Sequence, residues 1–463
     1  MYYLFFILIF GPLFSDLQKV NVEMDSQITL DNKILNYRVV SGNIILKNDE
    51  DEEKASICYT AYFLQGIPLK ERPLSFCFNG GPGAASVWIN TGYMGPKRIE
   101  GEDIQFLVPP YSLVDNESSL LDKTDMVFID PVSTGFSRPA PTVEVSAFHN
   151  VEEDVAMMGE FIRVFTSQFK RFDSPKYLVG ESYGGLRAAK VGYKLHEDYG
   201  YYLNGILLIS PALDLQPLSP AACNDLPYIL ALPSLTAVAN YHKKTTATTS
   251  EAEEFASTTY AEALFLGDSL ASDKKKELSS HLSYFTGLDT SLIERLNFRI
   301  PNYRFIKECM QNEGKVIGVF DGRILGLDTK KNDCYSTYDP SLDAVLGAVT
   351  GTFSQFLVKE MQWPSDKDYN VLLPLNWNWG KGNQYASAIK DLSALIAQNP
   401  KLKVVVMHGI YDLAVPFSSV SYALRRTGFP ERIQSFTYPG GHMMYYNKSI
   451  RETMRKDLKE FFL

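Results

Sequence analysis

Cysteine pairs that would bind zinc or build a dense disulfide framework are missing from this sequence. Its 463 residues include five cysteines, and no two of them form a C-x-x-C pair. Five thiols allow two bridges at most, and Cys77, inside the apolar run PLSFCF, is expected to be buried and unreactive. Because no cluster of His, Cys, Asp or Glu has the spacing of a metal site, we expect neither a metal nor a cofactor.

Clusters of positive charge are missing as well. The formal net charge is -9 at pH 7, and the Lys and Arg residues are scattered along the chain. A protein that tracks the phosphates of DNA or RNA needs a concentrated basic surface. We therefore expect no nucleic-acid partner, and a small molecule or a peptide is the expected ligand.

The only long apolar run lies at the N-terminus, in residues 1–14 (MYYLFFILIFGPLF). It is too short to span a membrane as a helix, which takes about 20 apolar residues. The run predicts a signal peptide over residues 1–15, export to the periplasm or the exterior, and no stable membrane insertion after its removal. A buried first strand is the alternative, because no Lys or Arg precedes the run and no clear A-x-A cleavage site follows it.

The first half of the chain alternates strand-like and helical segments. Ile34–Leu46 and Cys58–Leu64 predict a hairpin around an acidic turn, and Val151–Phe172 carries apolar residues at helical spacing. Short β-rich runs are Pro73–Phe78, Asp125–Ile129, Tyr177–Val179 and Gly205–Ile209. Strands separated by helices predict an α/β fold with a mostly parallel sheet covered by helices on both faces.

The alternation stops near Gln216 and returns after Asn370. The segment between them is helical and rich in loops, and strand character resumes at Leu402–Met407 and Ile433–Tyr438. We therefore predict the first part of the core over residues 16–215, a helical cap insertion over 216–370, and the second part of the core over 371–463.

A nucleophile elbow is predicted at Gly180-Glu181-Ser182-Tyr183-Gly184. This G-x-S-x-G sequence follows the apolar run KYLV and precedes a helical segment, which is the strand-turn-helix context that exposes a reactive serine. The alternative is a tight turn with an incidental serine. In the elbow interpretation the fold is the α/β-hydrolase fold, and Ser182 is the nucleophile.

A serine hydroxyl needs a base, and in this fold the acid and the base follow the nucleophile in the order Ser, Asp, His. Only His408 and His442 lie in the resumed part of the sheet. His442 follows a strand in a turn, whereas His408 lies at a strand end, where packing is the more natural role. Asp412 follows the C-terminal end of that same strand, so Asp412 and His442 are the predicted partners of Ser182. The alternative for Asp412 is an ordinary helix N-cap.

Backbone donors for an oxyanion are predicted in the loop Asn79-Gly80-Gly81-Pro82-Gly83. Consecutive glycines after a strand let the main chain approach a substrate closely. The predicted donors are the N–H groups of Gly81 and of Tyr183, the residue after the nucleophile. A mobile glycine turn is the alternative.

Four blocks of the sequence resemble motifs of the serine carboxypeptidase family. FNGGPGAAS is similar to NGGPGCSS, VFIDPVSTGFS to FVDQPVGTGFS, GESYGG to GESYAG, and GGHMMYY to GHMVP. The blocks occur in the family's order, and details such as GHMMY and DPVSTGFSR resemble bacterial members.

This resemblance implies a serine-type carboxypeptidase that hydrolyses C-terminal peptide bonds through an acyl-enzyme. It implies the same triad and oxyanion hole, binding of the substrate's terminal carboxylate by Asn79 and Glu181, and Met443 in the pocket for the last side chain. Two carboxyl groups in contact must share a proton, so acidic pH is favoured.

The sequence departs from the family pattern at two positions. Ala84 replaces the family's disulfide-forming cysteine, and Tyr93 stands where many eukaryotic members have a glutamate. The second departure leaves the usual pair of carboxyl groups incomplete. An esterase or acyltransferase with the same triad, and a non-catalytic binding protein on the same scaffold, are the alternatives.

Overall fold

A computed structural model describes residues 17–364, 367–380 and 384–462 of the chain. The predicted signal peptide, residues 1–15, lies outside the described residues. The strands are β1 (Asn21–Leu30), β2 (Lys33–Lys47), β3 (Glu53–Leu64), β4 (Leu74–Phe78), β5 (Lys97–Ile99), β6 (Leu113–Asp115), β7 (Asp125–Ile129), β8 (Arg138–Pro139), β9 (Lys176–Glu181), β10 (Gly205–Ile209), β11 (Lys315–Ile317), β12 (Leu325–Leu327), β13 (Lys403–Gly409) and β14 (Ile433–Tyr438).

Helices fill the sequence between most of these strands. They are α1 (Val87–Ile89), α2 (Val151–Gln168), α3 (Tyr183–Tyr199), α4 (Leu226–Tyr241), α5 (Thr249–Phe255), α6 (Ala261–Leu266), α7 (Ser272–Thr286), α8 (Thr290–Arg295), α9 (Asn302–Glu308), α10 (Pro340–Gln355), α11 (Ile389–Gln398), α12 (Phe417–Arg425) and α13 (Lys448–Asp457).

The described residues form one 10-stranded sheet with the order β1-β2-β3-β7-β4-β9-β10-β13-β14, and β8 pairs with β3. Neighbouring strands in the run β7-β4-β9-β10-β13-β14 pair in parallel, whereas β1, β2, β3 and β8 join by antiparallel pairing. Every residue of β4, β7 and β10 is buried, because helices cover both faces of a parallel sheet. The predicted α/β fold is confirmed.

Strand β1 was not predicted from the sequence. It pairs with β2 at the edge of the sheet, and its first seven residues alternate between exposed and half-buried positions. The exposed positions of the segment NVEMDSQITL therefore carry polar side chains, and the segment is too polar for its sequence to predict a strand.

Two apolar clusters lie on opposite faces of the sheet. Helices α2, α3 and α11 contribute to one cluster, and α1, α10 and α13 contribute to the other. A third cluster forms among α4 to α9 and includes Leu235, Leu282 and Phe305. The segment predicted as one cap therefore has two parts. Helices α4 to α9 share an apolar core of their own, whereas α10 packs against the sheet.

One helical stretch among the described residues, Pro340–Glu360, has the length and mean hydropathy (1.2) that a membrane-spanning helix needs. Its residues Val345, Val349 and Phe353 are buried in the cluster that covers the sheet. Packing in the protein core therefore accounts for the apolar character of this stretch.

All five cysteines are free thiols. Cys77 is fully buried in β4, as expected, and burial raises its pKa well above the usual value. A buried thiol with a raised pKa forms little thiolate, so Cys77 is unreactive.

A buried carboxylate between two arginines joins the start of β7 to its neighbours. Asp125 accepts hydrogen bonds from Arg171 Nη1 at 2.7 Å, from Arg72 Nη2 at 3.0 Å and from the Leu64 backbone N–H at 3.0 Å. The side chains of Asp125 and Arg171 are each 1% exposed. These contacts connect β3, β7, the segment before β4 and the loop after α2.

We predict that Asp125→Asn destabilises the protein by about 3–5 kcal/mol, because removing one member of a buried ion pair leaves the other charge uncompensated. Urea unfolding followed by tryptophan fluorescence measures the loss. The matched control is Asp51→Asn, which breaks the exposed ion pair with Lys47 and should change stability little. Equal unfolding curves for the two variants would contradict the prediction.

Candidate active site

The backbone at Ser182 is held in a strained turn between β9 and α3. Its φ is +59° and its ψ is -127°, a combination that costs a non-glycine residue free energy. Three backbone hydrogen bonds hold the turn: Ser182 N–H donates to the carbonyl of Ile209, and the Ser182 carbonyl accepts from the N–H groups of Gly185 and Ala212.

Close packing of the elbow explains why a glycine precedes the serine by two residues. A Cβ atom added at Gly180 would lie 2.0 Å from the carbonyl oxygen of Gly184. Only glycine therefore lets the start of α3 fold back onto the end of β9. The geometry is that of the predicted nucleophile elbow.

Asp412 and His442 meet at the same edge of the sheet as Ser182. Asp412 follows β13 by three residues, His442 follows β14 by four, and the carboxyl ends of parallel strands point to one edge. His442 Nδ1 lies 2.6 Å from Asp412 Oδ2. The other carboxylate oxygen of Asp412 accepts from the backbone N–H groups of Ala414 and Val415, each at 2.8 Å. Asp412 is thus fixed in one orientation.

Asp412 raises the pKa of His442. Burial of the imidazole lowers its pKa, but the charge of Asp412, its hydrogen bond to Nδ1 and the charge of Glu181 act in the opposite direction and prevail. With Nδ1 donating to Asp412, Nε2 is the nitrogen left to accept a proton. A histidine in this state is a general base whose protonated form is stabilised.

A pocket of about 80 Å³ brings the candidate residues together. Its walls include Ser182 and His442, together with the predicted binding residues Asn79, Glu181 and Met443. The other lining residues are Gly80, Gly81, Ala84, Trp88, Phe320, Leu342 and Leu372. Tyr183 is not among them, because its side chain points beneath the elbow and donates to Asp154.

The two predicted oxyanion donors lie on adjoining segments. Gly81 has a φ of +95° in the loop after β4, and Tyr183 is the first residue of α3. The first N–H groups of a helix have no partner within the helix. Neither of these two N–H groups donates a backbone hydrogen bond within the described part of the chain. Both are available to a ligand.

Glu181 is a buried carboxyl whose hydrogen-bond partners are neutral. Its Oε2 accepts from the hydroxyl of Tyr445 at 2.7 Å, and the Asn79 side chain also donates to it. Burial raises the pKa of Glu181 to about 7, against the opposing effects of His442, Tyr445 and Asn79. The carboxyl therefore changes its protonation state near neutral pH.

Tyr445 is a site residue that the sequence reasoning missed. It stacks on Tyr93, with ring centroids 5.9 Å apart and an angle of 14° between the rings. The Tyr93 hydroxyl is buried and makes no hydrogen bond among the described residues. Tyr445 follows His442 by three residues, so the aromatic pair in GGHMMYY was the available signal.

His408 occupies a position that suits packing. It is buried, its Nε2 lies 3.2 Å from Ser435 Oγ, and burial lowers its pKa to about 4. A second serine and histidine pair exists elsewhere, where Ser133 Oγ lies 3.0 Å from His149 Nε2. No carboxylate of the described residues bonds to the His149 ring, and burial lowers the pKa of this histidine.

No group of three or more His, Cys, Asp or Glu residues that would hold a metal occurs in the described ranges. A serine on a strained elbow, a histidine oriented by a buried aspartate and two free backbone N–H groups suit acyl transfer.

The sequence of this chain matches a known protein family over most of its length. The family model described as serine carboxypeptidase matches residues 33–438. This chain belongs to the serine carboxypeptidase family. The match includes Ser182 and Asp412, while His442 lies four residues beyond its end.

Curated members of the serine carboxypeptidase family match part of the chain. Serine carboxypeptidase-like 38 of Arabidopsis thaliana is 29% identical over 163 residues, which are 33% of this chain and 32% of that protein. The retinoid-inducible serine carboxypeptidase of Homo sapiens is 31% identical over 133 residues, 27% of this chain and 26% of that protein. The chain thus spans about a third or less of the length of these relatives.

A solved structure of the family has the same fold. The crystal structure of a prohormone-processing carboxypeptidase from Saccharomyces cerevisiae aligns with 92% of this chain and 91% of its own, with a TM-score of 0.56 and 15% identity. At this identity the similarity shows the fold, and the roles of individual residues rest on the geometry of the site.

We predict that Ser182→Ala and His442→Ala each lower kcat by several orders of magnitude with a normal far-UV spectrum, because the two groups act as a unit. Asp412→Asn should also be severe, since it removes the charge that orients His442. Hydrolysis of an activated ester by each purified variant measures the losses. His408→Ala is the matched control and should retain kcat. Near wild-type turnover by Ser182→Ala would contradict the assignment.

Proposed function

We propose that this protein is a serine-type carboxypeptidase that hydrolyses the C-terminal bond of peptides or proteins through an acyl-enzyme. The observation that carries the proposal is the position of Glu181. Its carboxyl lines the same small pocket as Ser182 and His442, and its pKa is raised to about 7 by burial. A protonated carboxyl beside the nucleophile is suited to bind the terminal carboxylate of a peptide.

The chemical steps follow from the triad. His442 takes the proton of the Ser182 hydroxyl as its oxygen attacks the scissile carbonyl, and Asp412 stabilises the imidazolium that forms. The N–H groups of Gly81 and Tyr183 bind the oxyanion. His442 then protonates the leaving amine, which departs as the free C-terminal residue. Water, activated by the same histidine, hydrolyses the acyl-enzyme.

Recognition of the C-terminus requires one proton between two carboxyl groups. Two carboxylates held in contact repel each other, whereas a neutral Glu181 donates a hydrogen bond to the substrate's carboxylate. The Asn79 side chain lies beside Glu181 and is a second partner for this carboxylate. Met443, Trp88 and Leu372 give the pocket apolar walls for the last side chain.

An esterase or acyltransferase with the same triad is the second candidate. One observation favours it: among the described residues that line the pocket, Glu181 is the only one with a carboxyl group, and Tyr93 replaces the second acidic group of the family pattern. Weak recognition of the terminal carboxylate would leave the triad free to act on esters.

We also propose that the protein is exported, on the apolar run at residues 1–14.

We predict that kcat/KM for unblocked peptides falls as pH rises through about 7. Glu181 must be protonated to bind the substrate's carboxylate, and its raised pKa means that the protonated form is lost in this range. Amide-blocked peptides and esters should keep their activity there. All substrates should lose activity at lower pH, as His442 becomes protonated. Glu181→Gln should abolish the alkaline fall for unblocked peptides.

A variant of Tyr445 sharpens this test. Tyr445→Phe removes a hydrogen bond that favours the ionised form of Glu181, so its pKa rises and the alkaline fall should move up by about one pH unit. Tyr93→Phe is the matched control, since that hydroxyl makes no hydrogen bond to any residue that the structure describes. Identical pH profiles for unblocked and blocked substrates would favour the esterase or acyltransferase.

A further inference from the structure

A buried ion pair lies directly beneath the nucleophile elbow. Arg187 Nε donates to Asp154 Oδ2 at 2.8 Å, and their side chains are 1% and 4% exposed. Arg187 projects from α3 and Asp154 from α2, so the pair joins the two helices that cover this face of the sheet. Neither side chain lines the pocket or has a role in the chemistry described above.

The pair bonds to the two segments that carry the predicted oxyanion donors. The Tyr183 hydroxyl donates to Asp154 Oδ2 at 2.9 Å, and Tyr183 supplies one donor N–H. Arg187 Nη1 donates to the backbone carbonyl of Asn79 at 2.6 Å. Asn79 lies two residues before Gly81, which supplies the other donor N–H. One salt bridge therefore fixes both segments.

The two segments are in direct contact, so a shift of either one displaces the other. A Cβ atom added at Gly80 would lie 2.6 Å from the backbone nitrogen of Tyr183 and 2.8 Å from the carbonyl oxygen of Glu181. The guanidinium of Arg187 also lies 4.9 Å from the centroid of the Tyr183 ring, which confines the ring from a second direction. The contacts of Arg187 and Asp154 beneath the elbow thus fix the distance between the N–H groups of Gly81 and Tyr183.

Stability alone is a weak reason for a charge pair at this depth. Apolar residues of similar volume are often as stabilising as a buried ion pair, because the pair must first lose its hydration. Apolar residues would leave the Tyr183 hydroxyl and the Asn79 carbonyl without partners. The ion pair satisfies both groups, because Asp154 accepts from the Tyr183 hydroxyl and Arg187 donates to the Asn79 carbonyl.

We infer that Arg187 and Asp154 are positioning residues that hold the N–H groups of Gly81 and Tyr183 at the spacing needed to bind an oxyanion. This inference rests on the proposed role of Ser182 as the nucleophile. It extends the site to residues that do not touch the substrate. Displaced donors stabilise the transition state less, while binding of the substrate is unchanged.

The decisive variant is Tyr183→Phe, which keeps the donor N–H and the ring and removes only the hydroxyl bonded to Asp154. The readout is the rate at which a fluorophosphonate labels Ser182. In this reaction the Ser182 oxygen bonds to phosphorus, the P–F bond breaks, fluoride leaves, and His442 takes the serine proton. We expect labelling to slow about tenfold, less than the loss of a whole oxyanion donor. Ester hydrolysis should lose kcat to a similar extent, with KM unchanged.

Tyr260→Phe is the matched control. It removes a buried tyrosine hydroxyl that donates to the Phe298 carbonyl within the α4 to α9 cluster, far along the chain from the elbow. This variant should lose stability but label at the wild-type rate. Arg187→Lys keeps the charge but cannot bond to both Asp154 and Asn79 with the geometry of a guanidinium, so it should label at least as slowly as Tyr183→Phe.

The outcomes separate this inference from the proposed function. A wild-type protein that does not label at Ser182 overturns the proposed function and the inference with it. Normal labelling of the wild type with equal rates for Tyr183→Phe or Arg187→Lys overturns the inference alone. Equal slowing of Tyr260→Phe and Tyr183→Phe would mean general destabilisation, and it also overturns the inference.

Discussion

The site depends on the strained backbone of Ser182. This residue has a positive φ because β9 must pass into α3 within one residue, and hydrogen bonds to Ile209, Gly185 and Ala212 hold it there. The turn decides the positions of three groups at once, since Glu181, Ser182 and the N–H of Tyr183 are consecutive. A relaxed turn would move the hydroxyl, the oxyanion donor and the buried carboxyl together.

Buried carboxyl groups in this protein differ in the partners that face them. Asp125 lies between two arginines and Asp412 faces His442, so each has a cationic or ionisable partner. Glu181 and Asp130 instead accept hydrogen bonds mainly from neutral groups, and burial raises the pKa of each to about 7. Burial without a directly bonded cation leaves Glu181 able to gain and lose a proton near neutral pH.

Local motifs made much of the fold and site predictable. Each motif of the site occupies a few consecutive positions, so a short stretch of sequence is enough to recognise it. These motifs are the G-x-S-x-G turn, the glycine loop after β4 and the residues after β13 and β14. Strand β1 escaped prediction because its outward residues are polar. Tyr445 and Arg187 escaped because their partners, Glu181 and Asn79, are 264 and 108 residues away along the chain. Contacts of this kind depend on the packed fold rather than on any local pattern.

The most direct test of the account is to map the serine that a fluorophosphonate modifies. The wild-type protein is labelled at pH 7.5, digested and sequenced by mass spectrometry, in parallel with His442→Ala and His149→Ala. If Ser182 is the nucleophile and His442 its base, the adduct lies on the peptide that contains Ser182 in the wild type and in His149→Ala, and none forms in His442→Ala. An adduct on Ser133, dependent on His149, would contradict it.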